Sequence, residues 1–552
     1  MFSGSCLSGI AAFSLFVSVA KSSLTAWNVP ASNLVRQLWM TSIIVGDSLY
    51  IEGGEHYITG ATSYSDIKYP PTRSIDLSKS WTTSSVVINQ IDKSTTSACN
   101  RTISHPGLFW QESTRSILVF GGDTTTSGTV KTACALTLGD SLGSESWVQV
   151  YNSSDSIWKT ITWPRQPSFA YSPTASYALG GFTKAAGDTT ASMLMSMAVM
   201  NKTTGSFQAQ SEVGEFSTTG GVNQGEGHFV PSFGGLVIFI GGVAYSDAVV
   251  GASLRSMSKI DIYNPSTQKW YTQSASGDVP SGRKNFCMTG AQGKNQSTYE
   301  IFVYGGAGLE FFSDANSDSR NVYILTLPAF RWIRTTALSS PRAGSSCQTV
   351  KNQMISYGGY DPTGVASYAR LDPWAYGIGI FDLNTLEWGF NYNSNAAGYV
   401  QSDVVSKVYA SGALYPTWDD DNLAVLFKSS AASTTNPASP TIPNQSTATI
   451  PPSGATSAPA SSDSSKTPVA AIAGGTVGGV AFLALVILGL WYWMSRRRET
   501  GEAGTREEKV EIGTRYTEPV ATELHGDTAY PELSSEQRVP ELAGGYPSVA
   551  YR

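Results

Sequence analysis

Charge is scarce in this sequence. Only 14% of the 552 residues are Asp, Glu, Lys or Arg, against about 25% in an ordinary soluble domain, and the formal net charge of −6 leaves no basic footprint for nucleic acid. Histidine is scarcer still, with His56, His105 and His228 early and none again until His525. No Asp-x-x-His pair is present to act as the base of a hydrolytic serine. Cysteine is limited to five residues. Asparagine disappears altogether from the last 108 positions, which contain an apolar run that ends at Met494.

What the chain has is glycine, and it recurs. Apolar runs end in a doublet six times, at Gly53-Gly54, Gly121-Gly122, Gly180-Gly181, Gly241-Gly242, Gly305-Gly306 and Gly358-Gly359. The first glycines stand 53 to 68 residues apart. A second landmark follows each doublet after 25 to 29 residues: Trp81, Trp147, Phe207, Trp270, Trp332 and Trp388. A fixed period of this size marks one supersecondary unit copied along an array.

Each unit reads as four strands. An alternating run such as Thr41 to Val45 precedes the run with the doublet, and a strand and turn such as Lys259 to Thr267 lead to the aromatic. Asn264-Pro265 and Asp382 to Thr385 are turn chemistry, because Asn, Asp and Pro bend or fix the backbone locally. Four-stranded sheets set radially make a β-propeller. The glycines allow close backbone approach near a crowded centre, and the aromatics wedge between neighbouring sheets. The expected fold is therefore all-β, with six blades; two strand-like runs within Asn391 to Phe427 leave a seventh blade open or close the ring.

The doublets and tryptophans resemble the kelch repeat. Leu49 to Glu55, Gly227 to Gly234, Cys347 to Gly359 and Trp418 to Phe427 are similar, more narrowly, to membrane-anchored kelch or galactose-oxidase-like propeller proteins of the fungal surface. The resemblance covers residues 30 to 428 and implies a fold and a membrane arrangement more than an activity.

The rest of the chain agrees with an exported protein. Residues 1–20 end in Ser18-Val-Ala20 and read as a secretory signal peptide. Residues 21–428 are the propeller, and 429–468 a Ser/Thr/Pro-rich stalk unable to bury a core. Residues 469–494 are uncharged and long enough for a transmembrane helix, with Arg496, Arg497 and Arg498 behind it to stop transfer. Residues 495–552 form an acidic, disordered cytoplasmic tail. Asn100, Asn152, Asn201, Asn295 and Asn444 sit in N-glycosylation sequons, all ahead of the apolar segment. Cys287 follows Arg283 by four positions and Cys347 follows Arg342 by five, near-equivalent places in consecutive repeats. A Cys287–Cys347 disulfide with Cys99–Cys134 as its companion is the preferred reading, and four buried free thiols are the alternative. Tyr530 and Tyr546 begin Tyr-x-x-Φ peptides of the kind endocytic adaptors bind, a pattern short enough to arise by chance.

Chemistry has few candidates. The resemblance implies a copper oxidase as one option, but the late histidine of that ligand set has no counterpart here, so His56, His105 and His228 read as satisfied surface or core residues. Gly46 to Leu49 and Gly139 to Gly143 match hydrolase motifs only in letters, since they fall in β-turns where a nucleophile elbow needs a strand-to-helix turn. Asp314 to Asp318 opens like a calcium loop but lacks its Gly and its Glu. The expectation is a type I, single-pass cell-surface glycoprotein with no cofactor, whose propeller binds an extracellular glycan or protein ligand without catalysis. An extracellular carbohydrate-active oxidase-like enzyme and a structural tether between membrane and wall are the alternatives.

Overall fold

The computed structural model describes residues 25–432 apart from 28, 61–69, 94–98, 101–102, 124–132, 141–142, 152–162, 184–191, 218–220, 247–248, 294–296, 310–317, 364–370 and 413. All of these lie in the first of two compact units, residues 1–442. The expected signal peptide, the expected transmembrane segment with its three arginines, the tail tyrosines, Asn152, Asn295 and Asn444 fall outside the described residues, as does the expected stalk beyond residue 432. Among the described residues no helix is long and apolar enough to cross a membrane.

The described residues contain six antiparallel four-stranded groups, taken here in chain order as sheets 1 to 6. Sheet 1 comprises Leu34–Val45, Ser48–Ile58, Thr72–Asp76 and Ile88–Ile91. Sheet 2 comprises Gly107–Gln111, Ser116–Phe120, Ala133–Thr137 and Ser146–Tyr151. Sheet 3 comprises Ser168–Tyr171, Ala175–Leu179, Met197–Asn201 and Phe207–Gln210. Sheet 4 comprises Glu226–Val230, Leu236–Ile240, Lys259–Asn264 and Lys269–Ser274. Sheet 5 comprises Lys284–Gln292, Tyr299–Ala307, Asn321–Leu327 and Arg331–Leu338. Sheet 6 comprises Ala343–Val350, Gln353–Tyr360, Ile378–Asp382 and Glu387–Gly389.

Every sheet buries both faces. Ile238, Ile260 and Ile262 of sheet 4 pack against Ile301, Leu325 and Trp332 of sheet 5, and equivalent clusters join sheets 1 and 2, 2 and 3, 3 and 4, and 5 and 6. Ile355, Tyr357 and Ile378 of sheet 6 close onto Leu49, Ile51 and Ile75 of sheet 1. Burial on both sides is why second strands such as Leu236–Ile240 are continuously apolar and do not alternate. The architecture is all-β and propeller-like.

The repeat aromatics all enter these clusters, each between its own sheet and the one before it. Trp147, Phe207, Trp270, Trp332 and Trp388 do so from fourth strands. Trp81 differs from the expected pattern. It lies on a separate two-residue strand, Trp81–Thr82, paired with Asn391–Tyr392, while Ile88–Ile91 is the fourth strand of sheet 1. Trp81 stacks on Tyr392 with ring centroids 4.8 Å apart.

The doublets join consecutive sheets. The Gly242 N–H of sheet 4 donates to the Arg283 carbonyl at the start of sheet 5, at 2.9 Å. A Cβ on Gly242 would sit 2.6 Å from the Asn223 carbonyl, and one on Gly241 would sit 3.0 Å from the Arg283 carbonyl. Both glycines also have positive φ, +62° and +87°. The same donor from the second glycine recurs at Gly54, Gly122, Gly181 and Gly306, and the Gln37–Gly359 bridge is its equivalent between sheets 6 and 1. Arg283 and Arg342 add a guanidinium bond to the carbonyl of the first glycine, Gly305 at 2.8 Å and Gly358 at 3.0 Å.

Cys287 and Cys347 are disulfide-bonded and tie the first strands of sheets 5 and 6; Cys99 is bonded to Cys134 of sheet 2. The described sequon residues Asn100 and Asn201 are exposed.

The strand-like runs expected between Asn391 and Phe427 are helices, Asp403–Ala410 and Asp421–Ala432, and the second passes the expected domain end at 428. The period explains the difference: Leu423 and Phe427, four apart, are both fully buried. Two acids of the run Asp419 to Asp421, just ahead of and within the second helix, are hydrogen-bonded. Asp420 accepts the Asn422 N–H at 2.7 Å as a helix cap, and Asp419 accepts the Ser274 N–H at 2.7 Å. The segment straps back over the sheets, with Gln401 donating to Glu300 at 3.1 Å and Phe427 packed 4.4 Å from Phe233.

Gly242→Ala is expected to cost about 2–4 kcal/mol through backbone overlap added to its positive φ. Gly46→Ala has the same sign of φ but open space around it, so only the conformational cost of about 1–2 kcal/mol remains. Urea melts of the two variants compare them, and equal losses would show that the doublet has no special contact.

Candidate functional site: the central channel

The first strands of the sheets face one another across sheets 1 and 2, 3 and 4, 4 and 5, 5 and 6, and 6 and 1. In or just before each of them one residue takes the left-handed conformation: Trp39, His105, Gln166, Gln224, Asn285 and Gly344, with φ between +52° and +66°. Five are not glycine, so the strain of about 1 kcal/mol or more at each is held by its surroundings. Backbone bonds pass between neighbouring members: His105 N–H to Trp39 O at 2.7 Å, Gln224 N–H to Gln166 O at 2.9 Å and Asn285 N–H to Gln224 O at 3.0 Å. All six line one chamber of about 60 Å³.

A larger chamber of about 220 Å³ lies further along the same strands, walled by Ser42, Tyr171, His228, Thr289, Gln348 and the Cys287–Cys347 bridge. Glu226 lines both. Asn285 and Ser345, 6% and 8% exposed, line the mouth chamber with Asn285 Nδ2 and Ser345 Oγ unpaired. A buried polar atom left unpaired costs about 1–3 kcal/mol, so such atoms at a cavity wall are groups a ligand can satisfy.

Burial makes the channel nearly chargeless at neutral pH. Desolvation pushes the Glu226 acid up to about 8. It pushes the His228 imidazole down to about 4; His228 Nε2 is 2.7 Å from the Tyr299 hydroxyl, and Gly290 leaves room for that pair. His105 also falls to about 4 by burial, against the pull of Asp123, whose carboxylate is 4.0 Å from Nδ1. Glu55, directly after the first doublet, rises to about 7 through burial and then through Asp123. Asp123 itself is paired with Arg165 and accepts from Gln166 Nε2 at 2.6 Å.

The three histidines lie in different places. His56 is buried in sheet 1 with its ring 6.0 Å from Trp27, whereas His105 and His228 line the channel. The three are not brought together. Among the described residues no three His, Cys, Asp or Glu side chains converge as metal ligands. Gly46 and Asp47 turn between the first two strands of sheet 1. Of Asp314 to Asp318 only Asp318 is described, and it accepts from the Tyr323 hydroxyl at 2.7 Å.

No family model matches the chain. Over 306 residues it is 26% identical to a protein of Arthroderma benhamiae named "Kelch repeat-containing protein", a match covering 51% of this chain. This similarity supports a kelch-repeat protein. The chain spans 45% of that relative's length. In kelch terms the doublets are the recognisable part, and the left-handed ring is not. Its members stand 15 to 21 residues before the second glycine and share only a bias toward Asn, Gln and Gly. That recurrence was the available signal, since amides and glycine tolerate positive φ.

Glu226 holds its proton more tightly folded than unfolded, so it costs stability as pH rises from 4.5 to about 8. Glu226→Gln is expected to leave the melting temperature unchanged at pH 4 and to raise stability at pH 8 by at least about 1 kcal/mol. Thermal melts across that range check it, and a variant less stable at pH 8 would refute the assignment.

Proposed function

We propose that the six sheets are the blades of a six-bladed kelch propeller held outside the cell by a single-pass anchor at 469–494, and that the channel mouth binds an extracellular glycan or protein ligand without catalysis. The observation that carries the binding site is the pair of unpaired buried groups, Asn285 Nδ2 and Ser345 Oγ, at an open chamber ringed by six left-handed residues. Strained backbone and unsatisfied polar atoms are costs that a site accepts in order to be ready for a partner. Support for the family comes from the kelch-repeat relative; support for display outside the cell comes from the signal, the sequons confined ahead of the apolar segment, and the arginines behind it. The acidic tail and its two tyrosine peptides then face the cytoplasm, where adaptor binding is open to them.

The test is a glycan and secreted-protein array probed with the full-length protein, followed by Asn285→Ala and Ser345→Ala. Each substitution is expected to weaken the captured ligand by about tenfold, one charge-free hydrogen bond to a buried group being worth about 1–1.5 kcal/mol. Ligand binding that neither substitution alters would place the site elsewhere.

A further inference from the structure

Glu226 holds a place no other acid in the channel holds. It begins the first strand of sheet 4 and lines the mouth chamber and the larger chamber alike. The titratable groups that line these chambers with it are His228, two residues along its own strand, Tyr171 from sheet 3, and His105 from the segment leading into sheet 2. Sheets 1, 5 and 6 contribute Thr41, Asn285 and Ser345.

Neither chamber is lined by a lysine or arginine. The basic side chains nearest the ring are engaged elsewhere: Arg165 with Asp123, Arg283 with the Gly305 carbonyl, Arg342 with Asp372 and Lys284 with the Leu309 carbonyl at 3.0 Å. A carboxylate in this channel, whether from Glu226 or from a ligand, would lose much of its water with no lysine or arginine in the lining to face it.

Resting on the reading that the channel mouth binds a ligand, we infer that Glu226 is a specificity-determining residue presenting a hydrogen-bond donor, so that the channel accepts the terminal sugar of a neutral glycan and turns away an anionic one. Sugar hydroxyls both donate and accept, so they pair with the acid, with Asn285 Nδ2 and with Ser345 Oγ together. A peptide end would bring an ammonium or carboxylate charge that no lining lysine or arginine meets, while a sugar ring, too large for the mouth of about 60 Å³ alone, reaches on into the chamber of about 220 Å³ that Glu226 and Ser345 also line. The acid is mostly protonated at pH 7 and half ionised at about pH 8. Above that it loses the donor and becomes a charge in a half-buried position that no lining lysine or arginine faces, so the ligand is released.

The experiment titrates full-length protein with a neutral oligosaccharide panel and the matching uronic-acid panel between pH 6 and 9.5. Neutral binding is expected to hold to pH 7 and to weaken about tenfold by pH 9, as ionisation removes the competent form. Glu226→Gln, its folding checked by thermal melting, is expected to bind a few-fold more weakly at pH 7 and to lose the pH dependence. Glu226→Ala is expected to bind weakly at every pH. A wild-type affinity flat from pH 7 to 9, a decline that Glu226→Gln shares, preference for the uronic panel, or affinity that rises with pH would each overturn the inference. A protein ligand captured while both sugar panels stay silent overturns it too but leaves the binding site standing; no ligand of either kind removes both.

Discussion

The structure depends on one recurring contact: the N–H of the second glycine in each doublet reaching across to the carbonyl that leads into the next sheet. That approach is too close for a Cβ on either glycine of the pair. Apolar packing is non-directional and by itself fixes no register between sheets that bury both faces. The backbone contact supplies the direction, and the aromatic of each repeat fills the wedge that opens outward between neighbours.

The ring of left-handed residues follows from the same contact. Each second glycine lies against the carbonyl just before one of them, as Gly242 lies against Asn223 ahead of Gln224 and Gly54 against Leu38 ahead of Trp39. The backbone must turn sharply there to enter the first strand, and that turn carries Gln166, Gln224 and Asn285 to the channel mouth. Function and assembly therefore share a segment. Packing at the mouth is also what strips water from Glu226 and His105 and sets their proton affinities.

Much of this was legible in the residues. The doublets, the aromatic offset and the equivalence of Cys287 with Cys347 are covalent and periodic facts, and local sterics give them one meaning. Other features were not. Trp81 has the right spacing yet sits on a strand paired with Asn391–Tyr392, a partner more than 300 positions away. The segment from Asn391 onward has apolar residues that fit either period over a short run, and the choice of helix came from Leu423 and Phe427 finding one cluster between sheets 4 and 5. His105 reads as an ordinary histidine until Trp39, 66 positions earlier, stacks on it at 5.3 Å.

The chain's letters alone determined the repeat, its four-stranded unit and the need for glycine at its joints, because those are consequences of backbone geometry within one short segment. Tertiary structure alone decided which residues meet at the axis and what charge they carry there. Each sheet contributes one left-handed residue to the channel mouth, and the proton affinity of a side chain there is set by the water and charges that the neighbouring sheets remove or supply.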